Sequence, residues 1–251
     1  MASVFDQPSF DERLFFPRDD TSPAPAGAVD VRVPVDGAEL HLRWHRGGAP
    51  LTVLLFHGNG EVVADYDGLA PLYADRGASL AVVDYRGYGA STGTPTLRDA
   101  LRDAPLVLEA LRAAGADRVV VMGRSLGSAS CAEIYGGPDR GVLGFVWESG
   151  FVDLAALVAR RGLEPPAAFT DAELATFDPQ RKLARGRRPL LLLHGEEDSL
   201  IRVHEARAAH AAAGTAAADK ELVIVPGHGH NDLSYDALYW DALGRFFARL
   251  R

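Results

Sequence analysis

Three short stretches carry residue types that can do chemistry together. Gly123-Arg124-Ser125-Leu126-Gly127 puts a serine between two glycines, directly after the apolar run Val119-Val120-Val121-Met122. That G-x-S-x-G spacing suits a tight strand-to-helix turn with an exposed hydroxyl at its apex, beside backbone N–H groups that can hold an oxyanion. A serine hydroxyl is a weak nucleophile and needs a base, and the base needs an orienting carboxylate. Val225-Pro-Gly-His-Gly-His-Asn-Asp-Leu233 offers two histidines two residues apart, His228 and His230. Taken alone they could be a base, a metal pair or turn residues. His194-Gly-Glu-Glu-Asp198 offers the carboxylates.

These stretches need a frame that brings them to one place. Val31 to Val35 and Ala38 to Trp44 alternate apolar and polar around Asp36-Gly37, which predicts a β-hairpin. Leu51 to Phe56 is almost wholly apolar, as a strand covered on both faces must be. Similar runs recur at 79–83, 118–122, 142–147, 189–193 and 221–225. Leu97, Leu101, Leu108 and Leu111 have helical spacing, although Pro105 interrupts the pattern. Residues 202–213 are Ala-rich and helical, and 233–250 form a final amphipathic helix facing inward through Leu238, Leu243, Phe246, Phe247 and Leu250. Asn231 or Asp232 is expected to cap that helix. A hairpin followed by alternating strands and helices predicts an α/β protein with a mostly parallel sheet of about eight strands. Ligand chemistry in such sheets sits at the carboxyl ends of the strands, where all three stretches fall.

In this order of elements the acid follows the serine and precedes the histidine. Asp198 is favoured over Glu148 because it lies one strand further on, nearer the last-strand histidine. Glu148 is read as a buried structural carboxylate. The expected oxyanion donors are the N–H groups of Leu126 and Asn59, with Gly60 the alternative to Asn59. His57 and His194 are read as braces of their loops. The start of a helix just beyond His230 favours it as the base and leaves His228 at the pocket rim. No third ligand set at a strand end supports a metal site built on His228 and His230, so neither metal nor cofactor is expected.

The 251 residues suffice for one large domain, and a net charge of −8 argues against a nucleic-acid binder. One cysteine, Cys131, excludes a disulfide framework or cysteine-based zinc cluster and fits a small buried side chain. The N-terminal stretch lacks the basic and apolar regions of a secretory signal, and no apolar run is long enough to span a membrane. A cytoplasmic location is therefore expected. Residues 1–29, rich in Pro, Asp and Ser, are read as an irregular arm anchored by Leu14, Phe15 and Phe16, and residues 30–251 as the domain proper. Only residues 151–188 leave room for a cap, so any cap is small. Its apolar stretch from Leu163 to Pro179 would form either a shallow acyl groove or ordinary packing. The basic cluster Arg181, Lys182, Arg185, Arg187 and Arg188 is either a solvated face or a steering patch for an anionic substrate.

The succession H-G-N-G, D-Y-R-G-Y-G-A-S-T-G-T-P-T, G-R-S-L-G, W-E-S-G-F, H-G-E-E-D and G-H-N-D resembles the small serine hydrolases of the α/β-hydrolase superfamily. The layout is similar to the group holding the α/β-hydrolase-domain depalmitoylases and related bacterial hydrolases. This resemblance covers residues 30–251 and implies Ser125 as nucleophile, Asp198 as acid, His230 as base, and Asn59 and Leu126 as oxyanion donors. It also implies structural roles for Asp84 and Arg86. In this group a bulkier residue commonly stands where this chain has Gly150, so a less restrained pocket rim is expected. The implied activity is hydrolysis of a carboxylic ester or thioester, on a small-molecule or acylated substrate, through an acyl-enzyme. A peptidase or amidase on the same machinery and a non-catalytic binding protein of the same fold are the alternatives.

Overall fold

The computed structural model describes residues 3–250. Eight strands form one sheet in the order β1-β2-β4-β3-β5-β6-β7-β8. They are β1 (Ala28–Val35), β2 (Ala38–His45), β3 (Leu51–Phe56), β4 (Ala78–Val83), β5 (Val119–Arg124), β6 (Gly144–Glu148), β7 (Leu190–Gly195) and β8 (Lys220–Val225). β1 and β2 are an antiparallel hairpin joined antiparallel to β4, and every other pairing is parallel. The chain builds outward from β3 to β4, then crosses back to place β5 on the other side of β3. That reversal opens a crevice at the carboxyl ends of β3 and β5.

The helices are α1 (Pro8–Leu14), α2 (Ala70–Ala74), α3 (Leu97–Ala113), α4 (Ser128–Gly136), α5 (Leu154–Arg160), α6 (Asp171–Phe177), α7 (Pro179–Arg185), α8 (Val203–Ala212) and α9 (Ala237–Arg249). Alternation along each strand sends neighbours to opposite faces. Leu54, Phe56, Val119 and Val121 pack with α3, α4, α5 and the arm. Val53, Leu55, Val120 and Met122 pack with α2 and α9. The central strands are covered on both sides, which is why they read as continuous apolar runs.

α3 continues through Pro105. The missing hydrogen bond and ring clash cost about 3 kcal/mol. Burial of Leu97, Leu101, Leu108 and Leu111 along the stripe, at roughly 1.5–3 kcal/mol for each fully buried side chain, outweighs it. The last helix begins later than its pattern suggests. Residues 233–235 form a 3-10 turn, and the cap of α9 is Asp236, whose side chain accepts from Leu238 N–H. Asp232 instead accepts from Gly229 N–H at 2.7 Å, and Asn231 accepts from Arg124 at 2.8 Å. Both residues expected as caps are thus used to hold the preceding loop.

The N-terminal segment is more ordered than its composition suggests. It holds a short 3-10 helix (Val4–Asp6) and α1. Phe5, Phe10, Leu14 and Phe15 are buried, whereas Phe16 stays exposed. The 163–179 stretch packs against this segment. The Phe5 ring lies 5.5 Å from Phe169 and 4.5 Å from Phe177. Ordinary packing, not an acyl groove, is therefore what those apolar residues do. The basic cluster is mostly a solvated face, with Arg181, Arg185, Arg187 and Arg188 exposed and only Lys182 buried. Lys182 is buried against Glu133 at 2.6 Å, Arg181 pairs with Asp171 at 3.2 Å, and Arg188 pairs with Asp139.

Asp11 ties α1 to the start of α3 by accepting Leu97 N–H at 2.9 Å. Burial pushes its carboxyl up to about 6, against that hydrogen bond and with help from Asp6 and Asp99. A carboxyl raised above its unfolded value loses stabilisation as pH rises from about 4 through 6. Asp11→Asn keeps an acceptor without the charge. It should therefore melt higher than the wild type at pH 8, and the advantage should vanish near pH 4 in matched thermal melts.

Candidate active site

β5 ends in a single 3-10 turn, Ser125–Gly127, which leads directly into α4. Ser125 sits at φ +50°, in the left-handed region that costs a non-glycine residue on the order of 1–3 kcal/mol. The flanking glycines make the turn possible. A Cβ at Gly127 would run into the carbonyls of Phe56 and His57, and one at Gly123 into the Gly127 carbonyl and Cys131. The hydroxyl is thereby held at the mouth of the crevice between β3 and β5.

Asp198 follows β7 and His230 follows β8, and the fold brings both to Ser125. His230 Nδ1 lies 2.7 Å from Asp198 Oδ2, and His230 Nε2 lies 2.8 Å from Ser125 Oγ. An ionised carboxylate can only accept, so Nδ1 donates and Nε2 is left to accept from the serine hydroxyl. The other Asp198 oxygen accepts from Leu200 N–H at 2.9 Å and Ile201 N–H at 2.8 Å. Burial works to raise the Asp198 carboxyl. The hydrogen bonds from His230 and the Ile201 amide outweigh it and hold the group below the usual carboxylate range. His194 braces the same loop through Nε2, 2.8 Å from Ile201 O.

His228 faces elsewhere. Its Nδ1 is 2.9 Å from Pro226 O and 3.7 Å from Asp236. Its carbonyl accepts Glu197 N–H at 2.9 Å, which ties the histidine loop to the Asp198 loop. Among the described residues no group of three or more His, Cys, Asp or Glu side chains is arranged to hold a metal ion. Glu148 is buried and held away from His230. It pairs with Arg124 Nε at 3.2 Å and accepts from Tyr239 at 2.8 Å, and burial raises its carboxyl. Asp84 joins His41, His57 and the Val63 amide, while Arg86 grips Asp103 with two hydrogen bonds at 2.7 and 2.9 Å. His57 has no outlet to the crevice: it is fully buried, with Nδ1 2.7 Å from Gly58 O.

Asn59 and Leu126 line the crevice with Ser125 and His230. The Asn59 side chain has a further role that its motif does not announce. Its Oδ1 accepts from Phe16 N–H at 3.0 Å and Tyr88 O–H at 2.6 Å, and its Nδ2 donates to Leu14 O. It pins the N-terminal segment across the crevice. Arg124, the variable residue of G-x-S-x-G, was equally silent in the sequence. It pairs with Glu61 and Glu148, and it donates to His230 O at 3.2 Å and Asn231 Oδ1 at 2.8 Å. Glu61 in turn accepts from Gly58 N–H at 2.7 Å and Tyr66 O–H at 2.6 Å. One guanidinium at the end of β5 thus connects the end of β6 with the loops after β3 and β8.

The crevice encloses about 250 Å³. Leu14 and Phe16 of the N-terminal segment form one wall, and Phe151, Leu157, Arg160 and Arg161 around α5 form another. Gly150, expected to loosen this rim, is instead tightly enclosed. A Cβ there would strike the Trp147 indole and the Ser128 side chain.

Over residues 49–186 the chain matches the family described as "Serine aminopeptidase, S33". The chain belongs to this family of α/β-hydrolases. The matched span runs from just before β3 to just after α7 and includes Asn59, Ser125 and Leu126, while Asp198 and His230 lie beyond it. The chain is 25% identical to an uncharacterized protein, YfhR, of Salmonella typhimurium, covering 89% of this chain and 82% of that one. It is 29% identical to an uncharacterized protein of Mycobacterium tuberculosis, covering 90% and 81%. Among solved structures it superimposes on the Pyrococcus furiosus esterase Pf2001 with a TM-score of 0.72 at 18% identity, covering 94% of this chain and 98% of that one. At that identity the likeness speaks for the α/β-hydrolase fold. No helix among the described residues is long and apolar enough to cross a membrane.

Proposed function

We propose that this α/β-hydrolase cleaves a carboxylic ester or thioester through a covalent acyl-enzyme formed on Ser125. The observation that carries this reading is the relay Ser125 Oγ–His230 Nε2–Asp198 at 2.8 and 2.7 Å, with the serine on a strained turn at the crevice mouth. Ser125 attacks the acyl carbon while His230 takes its proton. The N–H groups of Leu126 and Asn59 hold the oxyanion; loss of one such donor typically costs about 10²–10³ in turnover. His230 then protonates the leaving alkoxide or thiolate. It next activates water, which releases the acid and restores the serine. Asp198 fixes the histidine tautomer and stabilises the imidazolium. The 151–188 segment acts as a small cap whose α5 end forms the rim. The esterase relative by fold is in keeping with this chemistry.

The family's description raises a second reading, release of an N-terminal amino acid. Such an enzyme must bind a cationic α-amino group. Among the described residues, the one carboxylate lining the crevice, Glu61, is already committed to Arg124, and the guanidinium of Arg161 lines the crevice without a counter-charge. This favours acyl esters or thioesters over aminoacyl amides. Labelling with a fluorophosphonate probe tests the reading. The wild type should be labelled and Ser125→Ala should not; label retained in Ser125→Ala would sink the assignment. Parallel rates on 4-nitrophenyl acyl esters, acyl thioesters and aminoacyl anilides would separate the two readings.

A further inference from the structure

Five charged or titratable side chains line the crevice: Glu61, Arg124, Arg160, Arg161 and His230. Four have an opposite charge in contact. Glu61 meets Arg124, Arg124 also meets Glu148 at 3.2 Å, Arg160 meets Glu205 at 2.7 Å, and His230 meets Asp198. Arg161 has none among the described residues. Its guanidinium carbon stands 5.8 Å from the exposed Phe16 ring, and its Nε is buried with no hydrogen-bond acceptor.

Capping of α5 does not account for this side chain. The backbone N–H of Arg161 already serves the carbonyls of Ala159 and Val158, and its own carbonyl accepts from Arg13 at 3.3 Å. Burial, and then the neighbouring charge of Arg160, pull the guanidinium below the usual arginine range, with Tyr88 alone acting in the other direction. An arginine nonetheless stays protonated in a protein. A partly buried cation without a counter-charge is costly to keep. Here it lines the same crevice as the nucleophilic serine.

We infer that Arg161 is a substrate-binding residue that receives a carboxylate carried by the substrate, so that the preferred ester or thioester is a monoanion. This rests on the hydrolase reading above and narrows it. The guanidinium fork matches a carboxylate with two parallel hydrogen bonds. The charge count favours a carboxylate over a dianionic phosphate, because Arg160 is already neutralised by Glu205 and only one positive charge is on offer. The carboxylate can sit on the acyl half or on the leaving group.

Two substrate pairs separate those positions. The first is 4-nitrophenyl hydrogen succinate against 4-nitrophenyl butyrate, and the second is 4-acetoxybenzoate against phenyl acetate. Each kcat/KM is divided by the uncatalysed hydrolysis rate. Arg161→Met should lower the anion-to-neutral ratio by about 10- to 100-fold in one pair, the loss of a charged hydrogen-bonded contact. Arg161→Lys should recover part of it. A ratio unchanged by Arg161→Met in both pairs overturns the inference. A second measurement does not depend on turnover. Calorimetric titration of Ser125→Ala should show monoethyl succinate binding at least about tenfold tighter than diethyl succinate, with the difference lost in Ser125→Ala/Arg161→Met. Equal binding of these two esters by Ser125→Ala refutes a site for a carboxylate on the acyl half, and equal binding of 4-acetoxybenzoate and phenyl acetate in the same titration refutes one for the leaving group. If the wild type hydrolyses no ester and takes no fluorophosphonate, the hydrolase reading fails, and the titration still decides on Arg161.

Discussion

Replacing His230 with alanine should lower kcat on an activated acyl ester on the order of 10⁴-fold or more. The same change at His228 should leave kcat within about tenfold of the wild type. The two residues share a loop and differ in what their rings meet. His230 bridges Ser125 and Asp198 at 2.8 and 2.7 Å, whereas His228, which does not line the crevice, meets the Pro226 carbonyl. On the proposed mechanism, without the His230 imidazole no base takes the Ser125 proton during attack, and the leaving group departs unprotonated. What remains is binding and the oxyanion donors. Asp198→Asn should fall nearly as far, because an amide can donate toward Nδ1 and turn the imidazole to the wrong tautomer. Single-turnover kinetics on the three variants, with circular dichroism to verify folding, checks this. Comparable losses for His228→Ala and His230→Ala would show that the loop, not the imidazole of His230, is what matters.

Arg124→Met should lower stability by about 3–5 kcal/mol, on the order of 10 °C in Tm for a chain of this length. Arg124 is nearly buried and neutralises two carboxylates, Glu61 and Glu148. Methionine fills much of the same volume but leaves Glu148 buried with only Tyr239 as a hydrogen-bond partner. Burial already raises the Glu148 carboxyl, with Arg124 as the largest opposing influence. Without Arg124 the carboxyl rises further, so the variant is least stable at high pH and recovers as falling pH protonates the group. The double variant Arg124→Met/Glu148→Gln should regain part of the lost Tm. Arg124→Met should also lower kcat, because its hydrogen bonds to His230 O and Asn231 restrain the histidine loop. Arg124→Lys should not restore both effects, since an ammonium cannot span the same four acceptors with a planar fork.

Local physics made much of this protein legible before any coordinates. Strands covered on both faces must be apolar throughout, so six runs announced the parallel part of the sheet, and Asp36-Gly37 announced its hairpin. The turn at Ser125 needs glycine at 123 and 127 for steric reasons, so a five-residue pattern located it. The order of strand ends put Asp198 and His230 where they could meet that serine. Each of these signals is short in range or periodic, and the sequence carries it directly.

Contacts between distant segments carry no such mark. Nothing around Pro105 says that a buried leucine stripe will hold α3 straight. Nothing near Phe169 says that its groove is filled by Phe5. Arg124 and Asn59 occupy positions whose motifs tolerate variation. Their partners lie in other loops, brought close only when the strands align. The sequence by itself therefore determined the sheet, the serine turn and the three residues able to form a relay. The tertiary structure alone decided how the crevice is walled and charged, because desolvation and charge pairing depend on neighbours in space. Arg161 shows this best: in the sequence it is one more arginine after α5, and only in the folded chain does it face a crevice with no counter-charge of its own among the described residues.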